Sequence, residues 1–116
     1  MRYLIVLNDP PYGTERCYNG LRLALALVKR DDVTLRVFLL GDAVLCAKAG
    51  QVTPQGYYNV ERMLKGLAAR AAPIGACGSC LDARGLQEAG LVAGAQRSSL
   101  EELTEWTLEA DNVVVF

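Results

Sequence analysis

Tyr3 to Leu7 (YLIVL) is an unbroken apolar run, and Asn8-Asp9-Pro10-Pro11-Tyr12-Gly13 cuts it off at once. A strand with one wet face would alternate, so a continuous run belongs in a parallel sheet covered on both faces. The asparagine, prolines and glycine that follow enforce a turn. A buried strand closed by a hard stop recurs along the chain. Val33 to Leu40 (VTLRVFLL) ends at Gly41-Asp42, Ile74 to Ala76 follows Pro73, and Asn112 to Phe116 (NVVVF) forms a closing strand.

The stretches between these runs have helical spacing. From Thr14, read as an N-cap, to about Arg30, the residues Cys17, Leu21, Ala24, Leu25 and Val28 share one stripe. Glu15 in its first turn and Lys29-Arg30 in its last suit the helix dipole. A short helix is expected over Asp42–Ala49, closed by Gly50. Asn59 caps another that runs to about Ala71 with Val60, Met63, Leu64 and Leu67 inward. Leu86–Val92 reads as a helical turn and Ala93–Arg97 as a short extended piece. Ser98-x-x-Glu101 forms a capping box for a last helix to about Ala110, with Ser99-x-x-Glu102 as its one-residue alternative. Strands alternating with helices predict an α/β domain over residues 1–116, doubly wound, with a mainly parallel sheet and helices on both faces. Pro73 is expected to open its central strand.

Composition excludes several functions. Twelve basic residues against thirteen acidic ones are scattered, with only Lys29-Arg30 adjacent, so the footprint of a nucleic-acid binder is missing. Arg22, Arg36 and Asp42 interrupt the most apolar stretches, so no membrane span is expected. The opening segment is too short for a signal peptide and has no small-residue cleavage site, which predicts a cytoplasmic protein with reduced thiols. The sequence contains no histidine, which removes His-ligated metals, His bases and Cys-His dyads. Neither G-x-G-x-x-G nor a P-loop pattern occurs.

The chemistry is expected where a strand runs into Cys77-Gly78-Ser79-Cys80-Leu81-Asp82-Ala83-Arg84-Gly85. Sites in open α/β sheets gather at the carboxyl ends of strands. On that rule the loops Asn8–Gly13, Leu40–Ala43 and Cys77–Arg84 bring Asp9, Asp42, Asp82, Arg84 and two thiols to one rim. Cys77 is the candidate nucleophile, since backbone N–H groups and a following helix start can stabilise its thiolate, with Arg84 adding a positive charge. The plainer alternative makes Cys77 a small apolar strand end and Arg84 an ordinary surface arginine. Cys80 either resolves a disulfide with Cys77 or stands by. A lone C-x-x-C is half a zinc site, and Cys17 and Cys46 sit in helical patterns as buried apolar residues, so no metal is expected. Asp9 and Asp42 are equally turn and cap residues. Trp106 and the pair Tyr57-Tyr58 suit either the core or a subunit interface.

Several segments, in order, carry a resemblance. They are Pro11-Tyr12-Gly13-Thr14-Glu15, Leu21 to Leu27, Arg36 to Val44, Gly56-Tyr57-Tyr58-Asn59, Cys77-x-x-Cys80 with Arg84-Gly85, and Trp106-Thr107-Leu108-x-Ala110-Asp111. Over nearly its whole length the chain resembles the DsrE/DsrF-like family, and most closely its small YchN-like branch. The resemblance implies about five parallel strands, assembly into homo-trimers or homo-hexamers, and sulfur donor and acceptor proteins as partners. It also implies sulfane sulfur carried as a persulfide, a sulfurtransferase chemistry without metal or organic cofactor. Relay subunits of this family carry that sulfur on a cysteine eight residues before the glycine of an Arg-Gly pair. Here Cys77 matches that position, with Arg84-Gly85 as the pair. The relay subunits do not need a second cysteine, whereas this chain has Cys80. Two other functions compete: a thiol–disulfide oxidoreductase using Cys77 and Cys80, and a non-catalytic oligomeric binding subunit.

Overall fold

The structure, a computed structural model, describes residues 1–116. The strands are β1 (Arg2–Leu7), β2 (Thr34–Leu39), β3 (Ile74–Cys77), β4 (Ala95–Ser98) and β5 (Asn112–Val115). They form one sheet in the order β4-β3-β2-β1-β5, and every pair is parallel. Helices α1 (Arg16–Leu27), α2 (Val60–Ala69), α3 (Gly78–Ala83) and α4 (Leu100–Glu109) connect them, with 3-10 segments at Gly41–Ala47 and Glu88–Gly90.

The strand alternation sorts the side chains into two layers. Ile5, Leu7, Leu35, Val37, Leu39, Ile74 and Ala76 meet α1, α2 and the Gly41–Ala47 segment in the larger cluster. Leu4, Val6 and Phe38 point the other way and are covered by Leu103, Trp106 and Ala110 on or beside α4. Both faces are therefore apolar along β1 and β2, which is why those strands read as unbroken runs. Trp106 lies edge-on to Phe38, ring centroids 6.0 Å apart, with the Arg36 guanidinium 5.3 Å over its ring. It serves the core under α4.

The helix starts follow local chemistry. Asn59 caps α2 by accepting the Arg62 N–H at 3.1 Å. Thr14 is not the cap of α1: Glu15 occupies that place with φ 65, without a side-chain cap, while the Thr14 hydroxyl donates to Asp9 at 2.9 Å. The helix ends at Leu27, so Lys29 and Arg30 fall beyond it. For α4 the alternative register holds. Ser99 accepts the Glu102 N–H at 3.1 Å, because Ser98 is already paired with Cys77 at the end of β4.

β3 is not the central strand. It lies between β2 and β4, and β2 occupies the middle of the sheet. The strand order turns back at β1, so the topological switch point lies between β1 and β5, away from the end of β3.

Tyr12 ties the first loop to the 51–60 region. Its hydroxyl donates to Gln51 Oε1 at 2.5 Å and accepts the Val60 N–H at 3.1 Å. Tyr57 stacks on Tyr58, which stacks on Tyr18, with centroids 4.5 and 4.2 Å apart. Tyr57 itself stays exposed. No helix is long and apolar enough to cross a membrane.

Candidate functional site

Cys77 is the last residue of β3 and sits immediately before α3, so a four-residue strand delivers its thiol to the rim. It is partly buried, as is Cys80 one turn further on, and both thiols are free. The Cys77 Sγ lies 3.3 Å from the Ser79 hydroxyl. Burial works to raise the Cys77 thiol, but hydrogen bonds from the Cys80 and Ser79 side chains and from the N–H groups of both residues outweigh it. The thiol therefore lies below its ordinary value. Cys80 goes the other way: burial, then its hydrogen bond with Cys77, push it up. One motif thus holds an activated thiol and a reluctant one, as a nucleophile and its neighbour would.

The second loop of the rim belongs to this site. The Gly41 N–H donates to the Cys80 Sγ at 3.2 Å. Arg84 lies beside Asp42, donating from Nε and Nη2 to Oδ1 at 3.1 and 2.8 Å, and from Nη1 to the Cys80 carbonyl at 3.0 Å. Its charge acts on Cys80. Arg84 was expected beside the Cys77 thiolate; its hydrogen bonds instead fasten the end of α3 to the 3-10 segment.

The first loop does not join them by any hydrogen bond. Asp9 accepts the Thr14 hydroxyl, lies 3.7 Å from Arg16, and gives its carbonyl to the Cys17 thiol at 2.8 Å. Cys17 and Cys46 are buried in the core, as their helical spacing indicated. No three His, Cys, Asp or Glu side chains are grouped so as to hold a metal ion.

Arg97 is the residue that the sequence reading passed over. It comes from β4, the neighbour of β3, and its Nη1 and Nη2 hold the two Asp82 oxygens at 2.7 and 2.8 Å. The available signals were a glycine directly after Cys77 and an arginine in the next strand, and these become informative only once β4 is known to lie beside β3.

The family model for the DsrE/DsrF-like family matches residues 1–116. The chain is a member of that family. This DsrE/DsrF-like chain is 41% identical to protein YchN of Escherichia coli K12, covering 99% of this chain and 98% of YchN. The crystal structure of E. coli YchN superposes with a TM-score of 0.93 over the same shares of the two chains. An uncharacterized protein of Methanopyrus kandleri is 38% identical, over 97% of this chain and 91% of its own. More distantly, a sulfurtransferase TusD homolog of Vibrio cholerae is 28% identical over 100% of this chain and 98% of its own. The fold expected from the alternating pattern is the fold of YchN.

Proposed function

We propose that this DsrE/DsrF-like chain is a sulfur-relay protein that carries sulfane sulfur as a persulfide on Cys77. The observation that carries the reading is the Cys77 thiol itself. It is partly exposed at a strand end and lowered below its ordinary value by hydrogen bonds that outweigh burial. Family membership and the similarity to a sulfurtransferase TusD homolog support the sulfur class of chemistry.

The Cys77 thiolate attacks the outer sulfur of a donor persulfide. A bond from Sγ to that sulfur forms, the donor S–S bond breaks, and its electron pair leaves on the donor thiolate. The sulfur passes on when an acceptor thiolate repeats the attack. Donor and acceptor are proteins meeting the chain in the cytoplasm, and the chemistry needs no metal or organic cofactor. Cys80, held by Gly41, attacks the inner persulfide sulfur when no acceptor arrives, releasing sulfide and leaving a Cys77–Cys80 disulfide.

The test is intact-protein mass after exposure to a persulfide donor, with Cys77→Ser and Cys80→Ser alongside. A gain of one sulfur in Cys80→Ser, which cannot form the disulfide, and none in Cys77→Ser is expected. A loss of two hydrogens in wild type, with no sulfur gained by Cys80→Ser, would instead support the thiol–disulfide oxidoreductase reading, which the contact between the two thiols favours.

The assembly proposed is a homo-trimer or homo-hexamer. Along β5, Val113 and Val115 are 43% and 63% exposed, and on α4 Leu108 is 81% exposed, so both elements leave apolar surface uncovered. Sedimentation of wild type against Val115→Lys tests it: a large wild-type species that shrinks in the variant is expected, and a wild-type monomer would overturn it.

A further inference from the structure

The side chain of Arg97 runs over the start of α3. A Cβ built on Gly78 would lie 2.9 Å from the Arg97 Cζ and Nη2 and 3.0 Å from its Nε, so the guanidinium packs against the residue joined to Cys77. Only a residue without a side chain leaves it that room. Three contacts hold the arginine there. Its Nη1 and Nη2 hold the Asp82 carboxylate, and its backbone N–H donates to Glu88 Oε2 at 2.8 Å. Asp82 in the main, with Glu88 and the Cys77 thiol itself behind it, strengthens Arg97's hold on its proton. The guanidinium is thus charged, aimed and in the field of Cys77, and 44% of the side chain is open to solvent. Its Nε–H makes none of these bonds.

We infer that Arg97 is the residue that holds the negative charge at Cys77, pairing with the outer sulfur anion of the loaded cysteine, and that Gly78 is glycine to let it reach. The inference rests on the persulfide reading. In the loading step the outer sulfur bonds to Cys77 Sγ as the donor S–S bond breaks. Its proton passes to water, leaving Cys77–S–S⁻ and the donor thiolate. A planar guanidinium suits that diffuse anion better than a compact ammonium does. Asp82 acts through Arg97 as a positioning residue. Arg84 is bonded to Asp42 and the Cys80 carbonyl, and its charge acts on Cys80.

The experiment compares alkylation of Cys77 by iodoacetate and by iodoacetamide, read by peptide mass. Both reagents attack the same thiolate, so their rate ratio cancels the thiolate fraction and reports only the local field on an anion. Arg97→Gln should lower the iodoacetate-to-iodoacetamide ratio about two- to five-fold, the size expected of a solvent-exposed charge. Gly78→Ala should do the same. The added methyl displaces the flexible end of Arg97, while alanine favours the helix, so this variant folds. Arg97→Gln combined with Asp82→Asn, which keeps the net charge, should also lower the ratio. Arg84→Gln should leave it unchanged. An unchanged ratio in the Arg97 variants, or a fall in Arg84→Gln instead, would overturn the assignment.

A second arm follows the loaded protein: Arg97→Gln and Gly78→Ala should lose sulfane sulfur several-fold faster than wild type. Equal lifetimes would overturn the role in holding persulfide. A wild-type Cys77 that takes up no sulfur, with the reagent ratios behaving as expected, would strike the carrier reading and leave Arg97 as an anion-binding group beside a reactive thiol.

Discussion

The Gly41 backbone N–H donates to the Cys80 sulfur over 3.2 Å, joining the end of β2 to the first turn of α3. Burial and Cys77 push the Cys80 thiol up and outweigh this contact, which by itself lowers it, so the two cysteines are unequal. Cys80 is tied back against the 3-10 segment, while Cys77 meets the Ser79 hydroxyl at the strand end. The C-x-x-C motif is therefore built with one sulfur offered and one withheld.

Labelling against pH should show that inequality. Hydrogen bonds lower Cys77 against the pull of burial, so its alkylation rate should reach half-maximum below the ordinary thiol value. Cys80, raised by burial and by Cys77, should titrate above it. Buried Cys17 and Cys46 should remain unlabelled in the folded protein. Equal profiles for Cys77 and Cys80 would contradict the site geometry.

Arg84→Gln and Asp42→Asn should affect Cys80 more than Cys77. Arg84 opposes the upward push on the Cys80 thiol, so removing its charge should move that thiol's labelling curve to still higher pH. Site-resolved alkylation is the measurement, and a shift confined to Cys77 would contradict the pairing seen here.

Acid should loosen the protein through Glu61. This buried carboxylate accepts the Gly50 N–H at 3.1 Å and the Gln51 N–H at 2.8 Å, and these bonds, ahead of Lys65, hold it below its ordinary value. A group depressed in the folded state stabilises above its unfolded value, and that stability is lost as pH falls through the folded one. Glu61→Ala should therefore cost about 1–3 kcal/mol at neutral pH and lose less stability than wild type on acidification. Urea unfolding between neutral pH and about pH 3, read around the ordinary carboxylate value of roughly 4.3, would check both.

Gly94→Ala should destabilise where Gly78→Ala does not. Gly94 has φ +98, and a Cβ there would collide with the Ala68 Cβ on α2. Strain and overlap together should cost about 2–4 kcal/mol and lower the melting temperature by several degrees. Thermal melts of the two variants side by side would show the contrast.

Much of this could be read along the chain. The runs Tyr3–Leu7 and Val33–Leu40 are buried on both faces, and burial on both faces is itself a sequence pattern. The Asn59 cap depends on Arg62, three residues away, and so is visible locally. Other features were not legible. Ser98 and Ser99 both precede a glutamate by three residues, and only the pairing of Ser98 with Cys77 leaves Ser99 to cap α4. Thr14 has the chemistry of a cap, but Asp9 takes its hydroxyl.

Local sequence dictates the alternation of strand and helix, the apolar character of Cys17 and Cys46, and the placing of Cys77 where a strand stops. Each of these depends on neighbours within a few residues, where backbone propensity and periodicity act. Which strands lie side by side, and with that which side chains reach the Cys77–Cys80 segment, is settled only in three dimensions. Arg84 is seven positions from Cys77 and turns to Asp42; Arg97 is twenty away and arrives over Gly78 because β4 pairs with β3. Electrostatic partnership depends on distance in space, and sheet order sets that distance.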